Sequence, residues 1–400
     1  AAGCARGAGR GGSRRKALLE DAEAFKAASR ERRQARRAAQ KEALWRAKSE
    51  HAAVDQGVKK RTRALELGAD MTAHNAWDSV PWDAELEVAT LRAARAQSTA
   101  PEEAAQAVCA QSDFKWNEFY RANLLAYKHR RYLHAEFPEL TLLLERAGFD
   151  TDEPGGGSGG GGSDGSGMGK NNALVFEIGC GPGNAALPLL AQFPRARVCA
   201  CDVSAAAVRL LTAHPSFEPA RCTACVWDVA DERGLPGCVA EDSVDAALLI
   251  FVLSALPPSA FERAARNVFT ALKPGGLLLF RDYGSCDEKQ RKFNRCGTKL
   301  GESWYARQNG TMVYFFDTAQ IDALFVKCGF EPVPVPAAPI PASIGSDAAS
   351  GGGAAVSLGA ASLGGAARFD KLLTVNRKTS EKLWRVWVTG RYRKPGETPA

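Results

Sequence analysis

Residues at three strand ends set out the chemistry open to this chain. Glu177-Ile178-Gly179-Cys180-Gly181-Pro182-Gly183-Asn184 spaces its glycines as G-x-G-x-G, between the apolar run Ala173-Leu174-Val175-Phe176 and the segment Ala185 to Leu190. Glycine lets a backbone turn sharply and come close to a ligand, with no Cβ in between. Strand, glycine turn and helix open a nucleotide-binding α/β sheet. Pro188 falls in the first helical turn, where proline costs little. A pyrophosphate is held at a helix N-terminus by the longer G-x-G-x-x-G turn, so this spacing favours S-adenosylmethionine over a dinucleotide. Asp202 ends the strand Arg197 to Cys201 about 20 positions beyond the glycines, where a carboxylate meets ribose hydroxyls. Asp228 follows a strand from Cys222 to Trp227 and can accept from an adenine amino group. Each aspartate alone would serve equally well as a helix cap; the three strand ends together fit S-adenosylmethionine better.

A parallel sheet must hold these residues on one edge, because open α/β sheets bind ligands at the carboxyl ends of their strands. Val244 to Val252 is a long apolar run, as expected of a strand buried on both faces. Lys273-Pro274-Gly275-Gly276 reads as a turn before a fifth strand, Leu277 to Arg281, which ends in Asp282-Tyr283-Gly284. Trp304 to Phe316 alternates around Asn309-Gly310, a hairpin signal. Asp317 to Cys328 reads as a helix capped by Asp317 or Thr318. Lys382 to Tyr392 alternates as the closing strand. The expected fold is α/β: a Rossmann-like, doubly wound sheet with an antiparallel last strand, of the class I S-adenosylmethionine-dependent methyltransferase type, plus a helical N-terminal RNA-binding region.

The 400 residues divide by composition into an arm (1–69), a helical region (70–150), a Gly/Ser linker (151–170) and the sheet domain (171–395) with a low-complexity insertion near 337–367. Residues 1–66 hold 18 Lys and Arg against 8 Asp and Glu, a net +10, whereas the remainder is net −3. Such a run is either a solvated helical face or a non-specific phosphate binder. Residues 14–66 read as the solvated helix. Residues 1–13 have no acid and read as a tail or as the end of an organelle-targeting segment. Eleven cysteines, an odd number, imply free thiols in a reducing compartment. The cytoplasm is expected, or the mitochondrion or plastid if the arm begins with a targeting segment. Cys199-x-Cys201 and Cys222-x-x-Cys225 could be paired as a zinc site, but both lie within expected strands, so no metal is expected. No uninterrupted apolar run reaches the roughly 18 residues a spanning helix needs, and no membrane partner is expected.

Between Asp70 and Phe149, Glu85 to Gln111 reads as one helix. Trp116 and Tyr120 then lie at i, i+4 on a helix face, which alone indicates core packing. Tyr127-Lys128-His129-Arg130-Arg131-Tyr132 interleaves cations with aromatics, a mix suited to RNA or to a surface helix with snorkelling cations. The Gly/Ser run at 154–167 would tether this region flexibly, with a reach of about 20 Å.

From about Asp70 to Lys394 the chain resembles the tRNA 3-methylcytidine methyltransferases of the methyltransferase-like group. The resemblance rests on Trp116-x-x-Phe119-Tyr120, Glu136-Phe137-Pro138-Glu139-Leu140, the glycine turn, Leu249 to Ala255, Arg281-Asp282-Tyr283-Gly284, Asn309-Gly310-Thr311 with Val313 to Phe316, Val375-Asn376-Arg377 and Arg385-Val386-Trp387. His74-Asn75-Ala76-Trp77-Asp78 looks like the branch acting on threonine and arginine tRNAs. The resemblance implies that Trp116 and Tyr120 close over the cofactor, and that Gly179, Gly181, Gly183, Asp202, Asp228, Val229 and Ile250 form its pocket. It further implies methylation of cytidine N3 at position 32 of the anticodon loop. Arg281, Asp282, Tyr283 and Arg307 are the candidates for gripping the base and its phosphates, with Asp282 facing the new cation or acting only as a cap. Lys128, Arg130, Arg131 and Arg377 are the candidates for RNA contact. The expected partner is the anticodon stem-loop of tRNA; an accessory protein or an aminoacyl-tRNA synthetase stays open as a second. The family usually reads Phe-Phe-Lys-Asp-Arg where this chain has Ala126-Tyr127-Lys128-His129-Arg130, which removes one aromatic and one carboxylate from the RNA-facing stretch.

The chemistry needs no trained base. N3 of neutral cytosine carries a lone pair, so the work is in-line positioning and stabilisation of a cationic product. N3 lies on the pairing edge, so the base must be unpaired or flipped. Leu253-Ser254-Ala255-Leu256 is not the Asn/Asp-Pro-Pro-Tyr turn of amine methylation, and no cysteine nucleophile follows the fourth strand. Two other classes remain open: a small-molecule or protein methyltransferase on the same sheet, and a non-catalytic RNA-binding scaffold. The arm supplies one test. If residues 1–66 contact phosphates, their deletion weakens tRNA binding at low salt and flattens the slope of log affinity against log salt; equal slopes for both chains make the arm a solvated tail.

Overall fold

The structure is a computed structural model that describes residues 82–124, 126–146, 172–334, 365–376 and 378–396, with residues 70, 76, 77 and 80 and six positions between 32 and 43. Those six are helical and exposed; the 154–167 linker run and residues 335–364 lie outside the described residues.

Uniformly apolar runs form the centre of the sheet. Strands β1 to β6 are Ala76–Trp77, Leu174–Ile178, Arg197–Asp202, Cys222–Val226, Val244–Ile250 and Leu272–Tyr283. A separate three-stranded sheet holds β7 (Thr298–Gly301), β8 (Trp304–Ala306) and β9 (Met312–Tyr314), and the large sheet is completed by β10 (Glu331–Pro332), β11 (Arg368–Asn376) and β12 (Glu381–Arg393). Among the described residues its order is β1-β11-β12-β6-β5-β2-β3-β4, with β10 beside β12. β4, β3, β2, β5 and β6 run parallel. All seven positions of β5 except Asp245 are buried, because helices cover both faces. On one face Phe176, Ile178, Cys199 and Cys201 meet Ala264, Ala265 and Val268 of the Phe261–Ala271 helix. On the other, Val175, Val198 and Ala200 meet Leu187, Leu189 and Leu190 of the Ala186–Gln192 helix. The chain leaves β2 toward β3 on one side, and β5 lies on the other. The carboxyl end of β2 is therefore the switch point where such sheets open a ligand crevice.

Four expectations need correction. The antiparallel strand β12 is the last in the chain but not the edge of the sheet: it lies between β6 and β11, and β1 extends the sheet further. Lys273 to Gly276 do not precede the strand but bulge within it; Val244 pairs with Leu272 and Ala246 with Leu277, so four residues loop out, with Gly275 at φ +78°. Glu85 to Gln111 is two helices, Ala84–Ala96 and Glu102–Ala110. Pro101 breaks them, since the residue before a proline avoids the helical region, and Ala100 N donates instead to Lys299 O at 2.8 Å. The low-complexity insertion ends earlier than expected: the amides of Ala366 and Ala367 donate to Asp322 at 3.1 and 3.0 Å.

The 70–150 region is not a body on a tether. Trp77 pairs with Leu373 on the sheet edge, and the Trp82 ring packs edge-on against Trp384 at 4.9 Å. Leu133, Phe137, Leu140 and Leu144 belong to the same core layer as Val175 and Leu190. Phe137 is fully buried beneath the guanidinium of Arg391, which lies 5.0 Å from the ring centroid. Phe137→Ala should therefore cost about 3–5 kcal/mol of global stability, read as a lowered midpoint in urea. A loss below about 1 kcal/mol, the scale of a surface change, would mean that this region docks only loosely.

Candidate functional site

The glycine turn is shaped by what lies against it. Gly179 has φ +63°, and a Cβ there would stand 2.4 Å from Val252 Cγ2; Gly181 has φ +54°, and its Cβ would stand 2.8 Å from the Tyr120 hydroxyl. One carboxylate fastens the turn to the next strand. Asp202 accepts from Gly181 N and from Ser204 N, both at 2.8 Å. Each carboxylate oxygen has two lone pairs, so one on each remains for a ligand. Burial pushes the Asp202 carboxyl up to about 6, against the pull of the two amides. Glu177, at the end of β2, accepts from Ala186 N at 2.7 Å and caps the following helix; burial pushes it up to about 7, against the charge of Arg130.

The lid is the Ser112–Ala122 helix. Asn117 Oδ1 accepts from Ala206 N at 2.9 Å and from Ser204 Oγ at 3.2 Å, which docks that helix on the start of the Ala205–Thr212 helix. The docking brings Trp116 and Tyr120 over the turn with rings stacked at 6.0 Å. Beneath them opens a cleft of about 590 Å³, counting its mouth. Gly179, Asp202 and Val203 form one side, Trp227, Asp228 and Val229 another, and Phe251, Val252, Ala255 and Leu256 the floor. Ser112 and Asp113 close the rim from the lid helix. Burial and then the charge of Asp228 raise the Asp113 carboxyl above its ordinary range.

The mouth of the cleft is aromatic and cationic. In the hairpin of β8 and β9, Arg307 N donates to Thr311 O at 2.7 Å and Asn309 Oδ1 accepts from Thr311 Oγ1 at 2.8 Å, which fixes the loop. The Arg307 guanidinium lies 5.9 Å from the Trp116 ring centroid and 5.7 Å from that of Tyr283. Tyr283 packs at 5.1 Å against the tilted Phe251 ring, and Lys289 donates to its hydroxyl at 3.3 Å.

A methyltransferase domain model matches residues 176–278, the segment holding the turn, Asp202, Asp228 and β5. The chain is 32% identical over 340 residues to a tRNA N(3)-methylcytidine methyltransferase of Drosophila melanogaster, covering 84% of this chain and 88% of that one. It is 31% identical over 338 residues to a tRNA N(3)-methylcytidine methyltransferase of Schizosaccharomyces pombe, covering 83% and 91%. It is 32% identical over 332 residues to the tRNA(Thr) (cytosine(32)-N(3))-methyltransferase of Saccharomyces cerevisiae, covering 82% of this chain and 44% of that one. The chain belongs to the tRNA N(3)-cytidine methyltransferase family. Its fold is the class I, Rossmann-like methyltransferase fold, and its cofactor is S-adenosylmethionine. The cleft fits that group: the turn leaves no Cβ at Gly179, Asp202 keeps lone pairs for ribose hydroxyls, and Val203, Trp227, Val229 and Leu256 make an apolar slot for a purine beside Asp228.

The cofactor residues expected from sequence divide into two groups. Trp116, Tyr120, Gly179, Asp202, Asp228 and Val229 line the cleft. Gly181 and Gly183 do not; Gly181 lies beneath Tyr120, and Gly183 lets Leu211 and Leu187 close behind the turn. Ile250 is buried in the other core layer, and the floor belongs to Phe251 and Val252, one and two residues on.

Of the candidates for gripping the base, Tyr283 and Arg307 reach the mouth, but Arg281 and Asp282 do not. Arg281 is buried between Asp370 at 2.7 Å and Glu136 at 3.2 Å, beneath the Trp387 ring at 4.8 Å. Asp282 is fully buried, accepting from Ser254 N at 2.9 Å and Tyr283 N at 2.8 Å, so it ties the Leu253–Ala255 turn to the end of β6. The 127–132 stretch is a loop rather than a surface helix. Within it Lys128 is exposed and Arg131 half-buried. Arg130 instead braces the site, donating to Ile250 O at 3.1 Å under the Phe251 ring, while its amide donates to Asn184 O at 2.7 Å. Arg377 lies outside the described residues.

Sequence reading missed Asp113, Asn117, Phe251 and Val252. Only Phe251-Val252 left a signal, as the apolar pair continuing past the strand end; Phe251 has φ +59°, a conformation no pattern of residue types announces.

Asp202 yields a pH prediction with a fixed sign. A hydroxyl donates to the ionised carboxylate, so S-adenosylmethionine affinity is full well above pH 6 and falls as pH drops through about 6, the value to which burial raises this group. Asp202→Asn should lower affinity roughly ten- to hundredfold, the loss of a charge-assisted hydrogen bond, and remove its share of that slope. Calorimetry between pH 5 and 7 in a folded variant reads both; unchanged affinity takes Asp202 out of the site.

Proposed function

We propose that this protein transfers a methyl group to N3 of cytidine 32 in the anticodon loop of a subset of tRNAs; the Saccharomyces cerevisiae relative is named for N3 methylation of cytosine 32 in tRNA(Thr). One observation of the site carries the reading: ring faces at the mouth already hold a cation. Trp116 and Tyr283 both lie against the guanidinium of Arg307. Ring faces attract positive charge through their quadrupole. A cytosine methylated at N3 is itself a planar cation, so the same faces stabilise it as charge develops, which is the differential binding that catalysis requires. Arg307 then serves the neighbouring phosphate, the partner its fork geometry suits.

S-adenosylmethionine supplies an electrophilic methyl group to a nucleophile in line with it. The residues do the rest. Asp202, Gly179 and Asp228 hold and orient the cofactor. Phe251 and Trp116 line the cleft and also touch the mouth, through Tyr283 and Arg307 respectively. No side chain has to take a proton, because the attacking lone pair is free in neutral cytosine. The burial of Asp282 therefore costs the reaction nothing. Lys128 adds sequence-independent phosphate contact at the exposed loop.

Bulk tRNA incubated with the protein and labelled S-adenosylmethionine should yield labelled 3-methylcytidine by nucleoside mass spectrometry; label in another nucleoside, or none, overturns the reading. Repeating the assay with an aminoacyl-tRNA synthetase fraction measures whether a protein partner contributes. Tyr283→Ala and Arg307→Ala should each lower kcat/KM for tRNA by about ten- to hundredfold, as expected for a contact worth roughly 1–3 kcal/mol, with cofactor affinity kept. Lys128→Ala should weaken binding slightly and reduce the salt slope by about one.

A further inference from the structure

Four sulfurs converge beneath the strand ends that carry the cofactor residues. Cys199 and Cys201 are two positions apart on β3, so both side chains leave the same face of the sheet. Cys225 is the register partner of Cys201 on β4, and Cys238 comes up from the chain between β4 and β5. The Sγ–Sγ distances are 2.9 Å for Cys201 and Cys225, 3.0 Å for Cys225 and Cys238, and 3.1 Å for Cys199 and Cys238. The sulfurs of Cys199, Cys201 and Cys238 all lie within 4.8 Å of one another. All four cysteines are free thiols. Cys222, the partner expected from its spacing to Cys225, is not among them. Residues three apart on a strand face opposite sides, and Cys222 packs in the other core layer.

A buried cysteine usually behaves as a small hydrophobe packed against carbon. Here the sulfurs face one another instead, from two strands and a loop. Four thiolates without a fifth donor or an open position make a closed, soft ligand set, which selects zinc in a structural role. A tetrahedron with Zn–S near 2.3 Å places sulfurs about 3.8 Å apart. The group therefore needs to open by less than about 1 Å, and the half-buried Cys225 and Cys238 can do this by side-chain rotation. The strand placement that counts against a zinc site on a sequence basis is what builds this one, through β-register rather than loop spacing.

We propose that Cys199, Cys201, Cys225 and Cys238 bind one zinc ion. The ion ties the edge strand β4 and the chain after it to β3. β4 needs such a tie: among the described residues it pairs on one side only, and Thr223 and Val226 are exposed. The ion would sit directly behind Asp202 and three residues before Asp228, so its loss would loosen two walls of the cleft without removing any group that touches cofactor.

The test uses the full chain purified in reducing buffer. Elemental analysis should find about one zinc per chain, released by a mercurial thiol reagent into a colorimetric zinc indicator. Cobalt(II) added to the metal-free protein should give the near-ultraviolet charge transfer and visible bands of a tetrahedral thiolate site. Cys199→Ser with Cys238→Ser should abolish both signals, and Cys296→Ser, at an exposed thiol elsewhere, should keep them. Chelation should lower the melting temperature of the wild type and leave that of the double variant unchanged. Because the cobalt titration is made on the wild type, poor folding of the double variant does not blunt it. A reduced wild type that holds no zinc and gives no cobalt bands overturns the proposal.

Discussion

The carboxylate of Asp202 is the constraint on which the site depends. Beyond the β2–β3 pairing, it ties together the glycine turn after β2 through Gly181 and the helix after β3 through Ser204. Ser204 in turn caps its helix through Ala207 N and receives Asn117 from the lid. Trp116 and Tyr120 are therefore placed by a chain of hydrogen bonds that begins at one buried acid. The ionised acid is held at a cost, and burial raises its pKa despite two amide donors. A group kept ionised in that setting binds hydroxyl donors strongly, since a buried acceptor with unused lone pairs is expensive to leave unmade.

A second group of charges does for the N-terminal region what Asp202 does for the lid. Glu136 pairs with Arg281, and Arg281 with Asp370, while Glu139 pairs with Arg391 at 3.0 Å. Burial works against the ionised Asp370, yet the guanidinium of Arg281 holds its carboxyl below the ordinary range. Such pairs add little net stability over an apolar equivalent, but removing one partner strands a buried charge. Their effect is positional: they fix the helical region 133–146 against β6, β11 and β12. This explains why Arg281, two residues from Tyr283 at the mouth, is unavailable to a phosphate.

That contrast shows what residue types and spacing can and cannot reveal. The glycine turn, Asp202 and Asp228 were legible because a parallel sheet puts strand ends on one edge, so position along the chain translates directly into position in space. Arg281, Asp282 and Tyr283 occupy three consecutive positions in one strand, and alternation sets only Asp282 apart, on the opposite face. It cannot separate Arg281, held by Glu136 and Asp370, from Tyr283, which packs with Tyr305 and Phe315 beside the small sheet of β7 to β9. Asp113 and Asn117 were illegible for a different reason: their roles depend on how the lid helix docks, a tertiary choice made by Ser204 and Ala206. The Gly/Ser run suggested a loose attachment, but linker composition describes only the linker. Whether the tethered part docks is decided by buried residues such as Phe137 and Leu140.

The charge layout separates two binding tasks that share one helix. The inner cleft is acidic, with Asp113, Asp202 and Asp228 at its walls, and suits hydroxyls, an amino group and a positively charged cofactor. The mouth carries Arg307 and Lys289 on aromatic faces and suits phosphate and a planar base. A tRNA backbone is repelled by the first and drawn by the second, so the polyanion cannot compete for the inner cleft. The two halves must still meet within a fraction of an ångström for in-line transfer. Trp116 lies in both, lining the cleft and bearing on Arg307. The helix that carries it is held by Asn117 at one end of the sheet and touched by the β8–β9 hairpin, where Gly310 leaves room for Lys115. Cofactor pocket and base platform are thus registered through a single rigid helix, and a change that shifts this helix disturbs both, whereas a change at the mouth alone disturbs only the second.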